Sequence, residues 1–312
     1  MMQPILTVPK SLAIAATLPP FTWNLVGDVQ AMLRYDFMRN AFLCGTMVAV
    51  VAGLVGYFVL LRRLAFAGDA LSHFAFTGAL GAVLVGLSPL AGAFGLTVLV
   101  ALVIGGLGER ARARDVVVGT LLAWTLGIGV LLLSIYTTTA SATNSALGVK
   151  VLFGSILGIQ AQQALLAAAV AAAVVVVLLL IARPLLFVSL DPDVAAARGL
   201  PVRLLGAAFM VLLAVTVAEA TQVVGALLIF ALLITPAAIA QRVSVRPYRA
   251  MLLAAMLALA ITWIGLTLAF YTSYPVSFLI SALAFLAFIA VILGQRTASW
   301  RLRRPSPALA VA

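Results

Sequence analysis

The sequence predicts an all-α polytopic membrane protein with about nine transmembrane helices, within a range of eight to ten, and three observations carry that prediction. Of its 312 residues, 65% are hydrophobic and 9% charged, against about 25% charged in an ordinary globular domain. Apolar stretches of roughly 18 residues or more, enough to cross about 30 Å of hydrocarbon as a helix, recur from residue 37 to residue 294. None alternates apolar and polar residues as a barrel strand does, and lipid tolerates only helices or closed barrels.

The elements follow from the apolar runs and the basic clusters between them. Residues 1–36 form an extra-membrane arm, with an interfacial helix expected around Trp23 to Tyr35. The run SLAIAATLPPF after Lys10 is too short, and too interrupted by Pro19 and Pro20, to favour a cleaved leader. Arg62 and Arg63, then Arg110, Arg112 and Arg114, then Arg183, Arg198 and Arg203, then Arg242, Arg246 and Arg249, then Arg296 to Arg304 mark cytoplasmic ends by the positive-inside rule. An even number of crossings must separate successive clusters. Residues 70–87 and 89–108 are joined by SPL, 115–136 and 161–182 through TTTASATNS, 204–218 and 222–240 by AEAT, and 250–271 and 276–294 through TSYP. Adding 37–61 gives nine spans with the N-terminus outside, so the permeation domain covers 37–296 and a cytoplasmic tail covers 297–312. The short stretch 142–160, with Lys150 and Gly154, reads as a partial helix dipping in from outside.

The net charge of +11 belongs to this orientation pattern and not to nucleic-acid binding, which would interleave Lys and Arg with exposed aromatics. Cys44 is the one cysteine, which excludes an intrachain disulfide or thiolate cluster, and it reads as a small packing residue. No GxxxxGK[ST] P-loop exists, and the two lysines are Lys10 and Lys150, so the chain cannot hydrolyse ATP by itself. No HExxH helix or second histidine exists, which excludes an intramembrane metalloprotease.

The loop SLDPDVAAARGLPVRLL predicts a short cytoplasmic helix. Asp191 suits the N-cap, Pro192 the first helical position and Asp193 the positive end of the dipole, while Gly199 and Pro201 end the helix. It is either a capped linker or a docking element for a cytoplasmic partner.

Among the eight acidic residues, Asp69 and Glu219 fall at the start of one predicted span and near the outer end of another, where a carboxylate is costly unless hydrated or paired. Asp69 and His73, the sole histidine, stand i, i+4, so both project from one helix face. A carboxylate oxygen and an imidazole nitrogen can then converge on Zn²⁺, Mn²⁺ or Fe²⁺. The alternative is that Asp69 caps its helix and His73 hydrogen-bonds within the bundle. Ser72 is turned away by about a third of a revolution and is the weaker donor. Further donors would come from another span, with Glu219, Gln222, Asn144 or a carbonyl freed near Pro236 available. Pro236 itself is either a hinge or a tolerated kink.

These residues resemble a family. FVLLRRLAFAGDALSHFAFTGALG is similar to the signature of the membrane permease subunits of bacterial manganese, zinc and iron ABC importers, in which a basic doublet precedes Gly-Asp-Ala-Leu-Ser-His and then Leu-Pro-Gly. The likeness continues, in the family's order, in LFGSILGI at 152–159, LDPDVAAARGLPVRLL at 190–205 and VVGALLIFALLITPAAIA at 223–240. One departure stands out: Phe76-Thr77-Gly78 replaces Leu-Pro-Gly, which removes the proline kink.

The resemblance implies a permease subunit of an ATP-driven importer in the bacterial cytoplasmic membrane, with no permanently bound cofactor and a divalent Zn, Mn or Fe ion as cargo. It implies that Asp69 and His73 form the metal site in the pathway. It also implies that Asp191, Pro192, Asp193, Ala196, Arg198 and Gly199 belong to a coupling helix seated on a cytoplasmic ATPase. The partners expected are two ATPase subunits, an extracytoplasmic metal-binding protein and a second permease copy in a homodimer. The competing expectations are a permease for a metal chelate of siderophore or cobalamin type, and a proton-coupled secondary cation transporter in which Asp69 and His73 relay protons.

Overall fold

The computed structural model describes residues 30–106, 111–139, 154, 156–272 and 274–302, and every described element is helical. After a helical turn at 30–32, the chain forms α1 (Asp36–Leu61), α2 (Ala65–Leu84), α3 (Pro89–Gly106) and α4 (Ala111–Thr139). A 3₁₀ turn (Ile156–Gly158) precedes α5 (Ala161–Leu190) and the short α6 (Pro192–Ala197). Then follow α7 (Val202–Val224), α8 (Ala226–Val243), α9 (Pro247–Tyr271) and α10 (Val276–Leu302). Residues 1–29 of the arm, most of the stretch 142–160 with Asn144, and tail residues 303–312 lie outside the described residues.

Among the described residues seven helices are long and apolar enough to cross a membrane: α1, α3, the 115–138 part of α4, α5, α7, α9 and the 276–297 part of α10. The apolar part of α8, Leu228–Val243, is shorter. In α2, Asp69, Ser72, His73 and Thr77 dilute an otherwise apolar helix. The chain is therefore a multi-pass helical membrane protein whose less apolar long helix is the one that carries the imidazole.

α1 is the hub, with 72% of its apolar window buried, and α7 follows at 67%. α1 packs against α5, α7, α8 and α9, while α7 also meets α2, α3 and α5. Because lipid tails are as apolar as Leu, the helices are held by close approach at small residues and by cross-helix hydrogen bonds. A Cβ on Gly53 would meet the backbone of Ala254 and Ala255 in α9, and one on Gly56 would run into the Leu233 carbonyl of α8. The Gln241 side-chain amide donates to the Tyr57 carbonyl at 3.0 Å, and the Trp263 indole N–H to the Thr46 hydroxyl at 2.9 Å.

Two expectations need correction. AEAT is not a loop: α7 continues through residues 218–221 and stops at Gly225, whose φ of 89° and ψ of 157° only glycine adopts readily. Ala, Glu and Gln are good helix formers, so polarity alone misplaced the turn. The second correction concerns α2, which starts at Ala65 behind Leu64 with no side-chain cap. Asp69 is therefore a full turn inside the helix and does not cap it. α2 also runs unbroken through Phe76-Thr77-Gly78 to Leu84.

Candidate functional site

Four helices surround the polar stretch of α2: α3, α4, α7 and α8. Two of its contacts depend on glycine. Gly78 lies backbone to backbone with Gly92 of α3, and Gly68 lies against α8, where a Cβ would stand 3.1 Å from the Leu233 side chain. The Thr77 hydroxyl donates to the Thr125 carbonyl of α4 at 3.3 Å, which satisfies a buried polar group and ties the two helices. The residues replacing Leu-Pro-Gly therefore have structural partners of their own.

Asp69 and His73 share one face of α2, and both are half-buried. The imidazole Nδ1 is buried without a hydrogen-bond partner, and no hydrogen bond or ion pair is made by the Asp69 carboxylate among the described residues. Ser72 is fully buried, and its hydroxyl donates to the Asp69 backbone carbonyl at 2.7 Å. It is used within its own helix, which leaves the carboxylate and the imidazole as the side-chain donors of this face.

The other candidate donors separate by position. Pro236 lacks the N–H that would bind the Leu232 carbonyl in α8. The adjoining Leu233 wedges between Gly56 of α1 and Gly68 of α2, so the break in α8 is packed beside Asp69. Glu219 is 6% exposed in α7. Among the described residues no three His, Cys, Asp or Glu side chains come together to hold a metal ion, so Glu219 does not join Asp69 and His73. The carboxylate and the imidazole are thus two side-chain donors on one helix face, with a freed backbone carbonyl nearby.

Between α5 and α7 lies the short helix α6. The Asp191 carboxylate accepts from the Val194 N–H at 3.0 Å, Pro192 begins the helix, and Asp193 lies in the first turn. At its end Arg198 is the C-cap and Gly199 adopts φ 79°, while the Leu200 N–H returns to the Ala195 carbonyl at 3.1 Å. Ala195 is fully buried, whereas Asp191, Asp193, Val194, Ala196 and Arg198 face outward. The Arg198 guanidinium stands 5.6 Å over the Phe187 ring of α5, holding the exposed side of α6 against the bundle.

The sequence reading placed Glu219 near the outer end of its span but missed the further turn of helix beyond it, and it missed the pairing of Thr77 with α4. The first was legible in the helix formers around Glu219 and the glycine at 225; the second has no local signal.

Comparison with known proteins gives a consistent picture. Residues 34–295 match the model of a family described as the ABC 3 transport family. The chain is 31% identical over 234 residues to the manganese transport system membrane protein MntC of Halalkalibacterium halodurans, covering 75% of this chain and 78% of that one. It is 30% identical over 239 residues to the manganese import system permease protein ScaB of Streptococcus parasanguinis, covering 76% and 83%. Its fold matches PsaBC from Streptococcus pneumoniae, solved in complex with Fab, with a TM-score of 0.75 at 28% identity, covering 86% of this chain and 95% of that one.

Proposed function

The chain belongs to the ABC 3 transport family, and from that premise we propose that it is the permease subunit of an ATP-driven importer of a divalent transition metal, with manganese the first candidate and iron and zinc its chemical equivalents. The observation that carries this reading is the Asp69–His73 face of α2, half-buried and presenting an imidazole nitrogen without a partner. One carboxylate and one neutral imidazole suit all three ions. Two donors bind weakly enough for an ion to be released, as a transit site requires, and a second copy of the chain or the freed backbone near Pro236 can supply more.

The protein contributes no covalent chemistry in this reading. It has no P-loop, so ATP is hydrolysed by two cytoplasmic ATPase subunits, and α6 is the element on which they push. An extracytoplasmic metal-binding protein delivers the ion to the outer mouth. The seven apolar helices with α2 and α8 make nine crossings of the bacterial cytoplasmic membrane, with the arm outside and α6 inside.

The test is metal uptake by cells that depend on this chain in chelated medium. His73→Ala and Asp69→Ala are expected to abolish growth, with rescue by the transported metal in excess. Wild-type uptake by both variants would remove the site.

A further inference from the structure

Glu219 has no place in the site just described, yet it is 94% removed from solvent, by its 6% exposure, and its Oε1 has no hydrogen-bond partner. It is one of several such groups in the outer half of the bundle. The Gln222 Nε2, one turn outward on the same helix, is buried without a partner, as is the hydroxyl of fully buried Thr262 in α9. Thr262 packs beside Gly45 of α1. The preceding residue of α1, Cys44, is fully buried and lies close enough to Glu219 to feel its charge. A buried carboxylate inside a membrane bundle is costly, and it usually faces an ion, a proton or water.

The level of this cluster follows from packing. Ala218 of α7 belongs to one buried cluster with Ala75 and Ala79 of α2 and Ala93 of α3. Those two alanines lie two and six positions beyond His73, about 3 to 9 Å further outward at 1.5 Å per residue. Gln222 stands i+4 from Ala218, so it projects from the face of α7 that meets α2, one turn further out. Glu219 stands three positions before Gln222 on α7, so the two side chains are neighbours on that helix.

We propose that Glu219 and Gln222 form a second, outer subsite for a divalent cation, through which the ion passes before it reaches Asp69 and His73. Turning the Gln222 amide about its last bond presents oxygen in place of nitrogen, so the two side chains offer a charged and a neutral oxygen donor. Such an oxygen pair suits a hard, loosely held divalent ion. The deeper level adds an imidazole and a second carboxylate, so the ion moves from a weaker to a stronger donor set as it goes inward. The inference rests on the transport reading, and it places Glu219 in a separate station instead of among the donors of the inner one.

The experiment is an Mn²⁺ binding isotherm on the purified full chain in lipid nanodiscs, read by loss of the free-ion paramagnetic resonance signal. His73→Ala is expected to lose the tighter binding and keep a weaker site, and His73→Ala/Glu219→Gln is expected to lose that one too. If the double variant does not purify as a single species, His73→Ala/Glu219→Asp decides. A weakening of the residual site supports the proposal, and unchanged affinity overturns it. No binding left in His73→Ala, or residual binding indifferent to Glu219→Gln, overturns the outer subsite while the inner site stands. Binding lost only on changing Glu219, with His73→Ala like wild type, keeps the outer subsite and removes the inner one.

Discussion

Gly78 of α2 and Gly92 of α3 meet backbone to backbone, so that a Cβ on either would be driven into the carbonyl oxygen of the other. Neither helix can yield without moving the polar face of α2. Gly78→Ala and Gly92→Ala are each expected to cost about 1–3 kcal/mol through overpacking and to lower the thermal midpoint of the purified protein. Gly95→Ala, where a Cβ has open space, serves as the control and should be neutral or stabilising by about 0.5–1 kcal/mol.

At Thr77 two substitutions separate side chain from backbone. Thr77→Val removes the hydroxyl that reaches Thr125, and a cross-helix bond of this kind in a membrane contributes about 0.6 kcal/mol. Thr77→Pro removes the N–H that bonds the His73 carbonyl within α2 and should cost about 3 kcal/mol or more. Thermal unfolding in detergent measures both, and equal effects would show that continuity of α2 at this point does not matter.

The short helix α6 can be loosened without touching the membrane. Asp191→Ala deletes the cap on Val194, which destabilises a helix terminus by about 1 kcal/mol. Metal uptake should fall while Mn²⁺ binding by the isolated chain stays at the wild-type level. A matching fall in binding would show that α6 has no separate role in coupling.

Gly225 separates α7 from α8 in a backbone region reserved for glycine, and Gly154 (φ 74°) packs against that same turn. Gly225→Ala is expected to cost about 1–3 kcal/mol. The loss should appear in thermal unfolding and as faster proteolysis at the α7–α8 turn; an unchanged midpoint and cleavage rate would contradict it.

The spans were legible because hydrocarbon thickness fixes their length and arginines fix their ends. α1, predicted at 37–61, forms at Asp36–Leu61. α6 was legible down to its cap, since Asp191, Pro192 and Gly199 each act within a few residues of chain. The i, i+4 relation of Asp69 and His73 was equally local. What could not be read was whatever depends on a second helix. Glu219 stood at the expected end of its span, beside the AEAT turn, until its helix was seen to continue to Val224. The Leu233 contacts with Gly56 and Gly68 join residues far apart in sequence, and no periodicity within α8 announces them.

The break at Pro236 lies just past Leu233, the residue flanked by two neighbours without side chains, Gly56 and Gly68. The seven residues beyond it, 237–243, form an arm about 10 Å long at 1.5 Å per residue. A bend of about 20° at the proline would swing its tip by some 3–4 Å. Gln241 holds the middle of that arm to the Tyr57 carbonyl, and the Gln295 amide holds the Arg242 carbonyl at 3.1 Å. The lever therefore has its fulcrum beside Asp69 and its tethers on α1 and α10, so a displacement of only a few ångströms there can open or close the backbone packed against that part of α2.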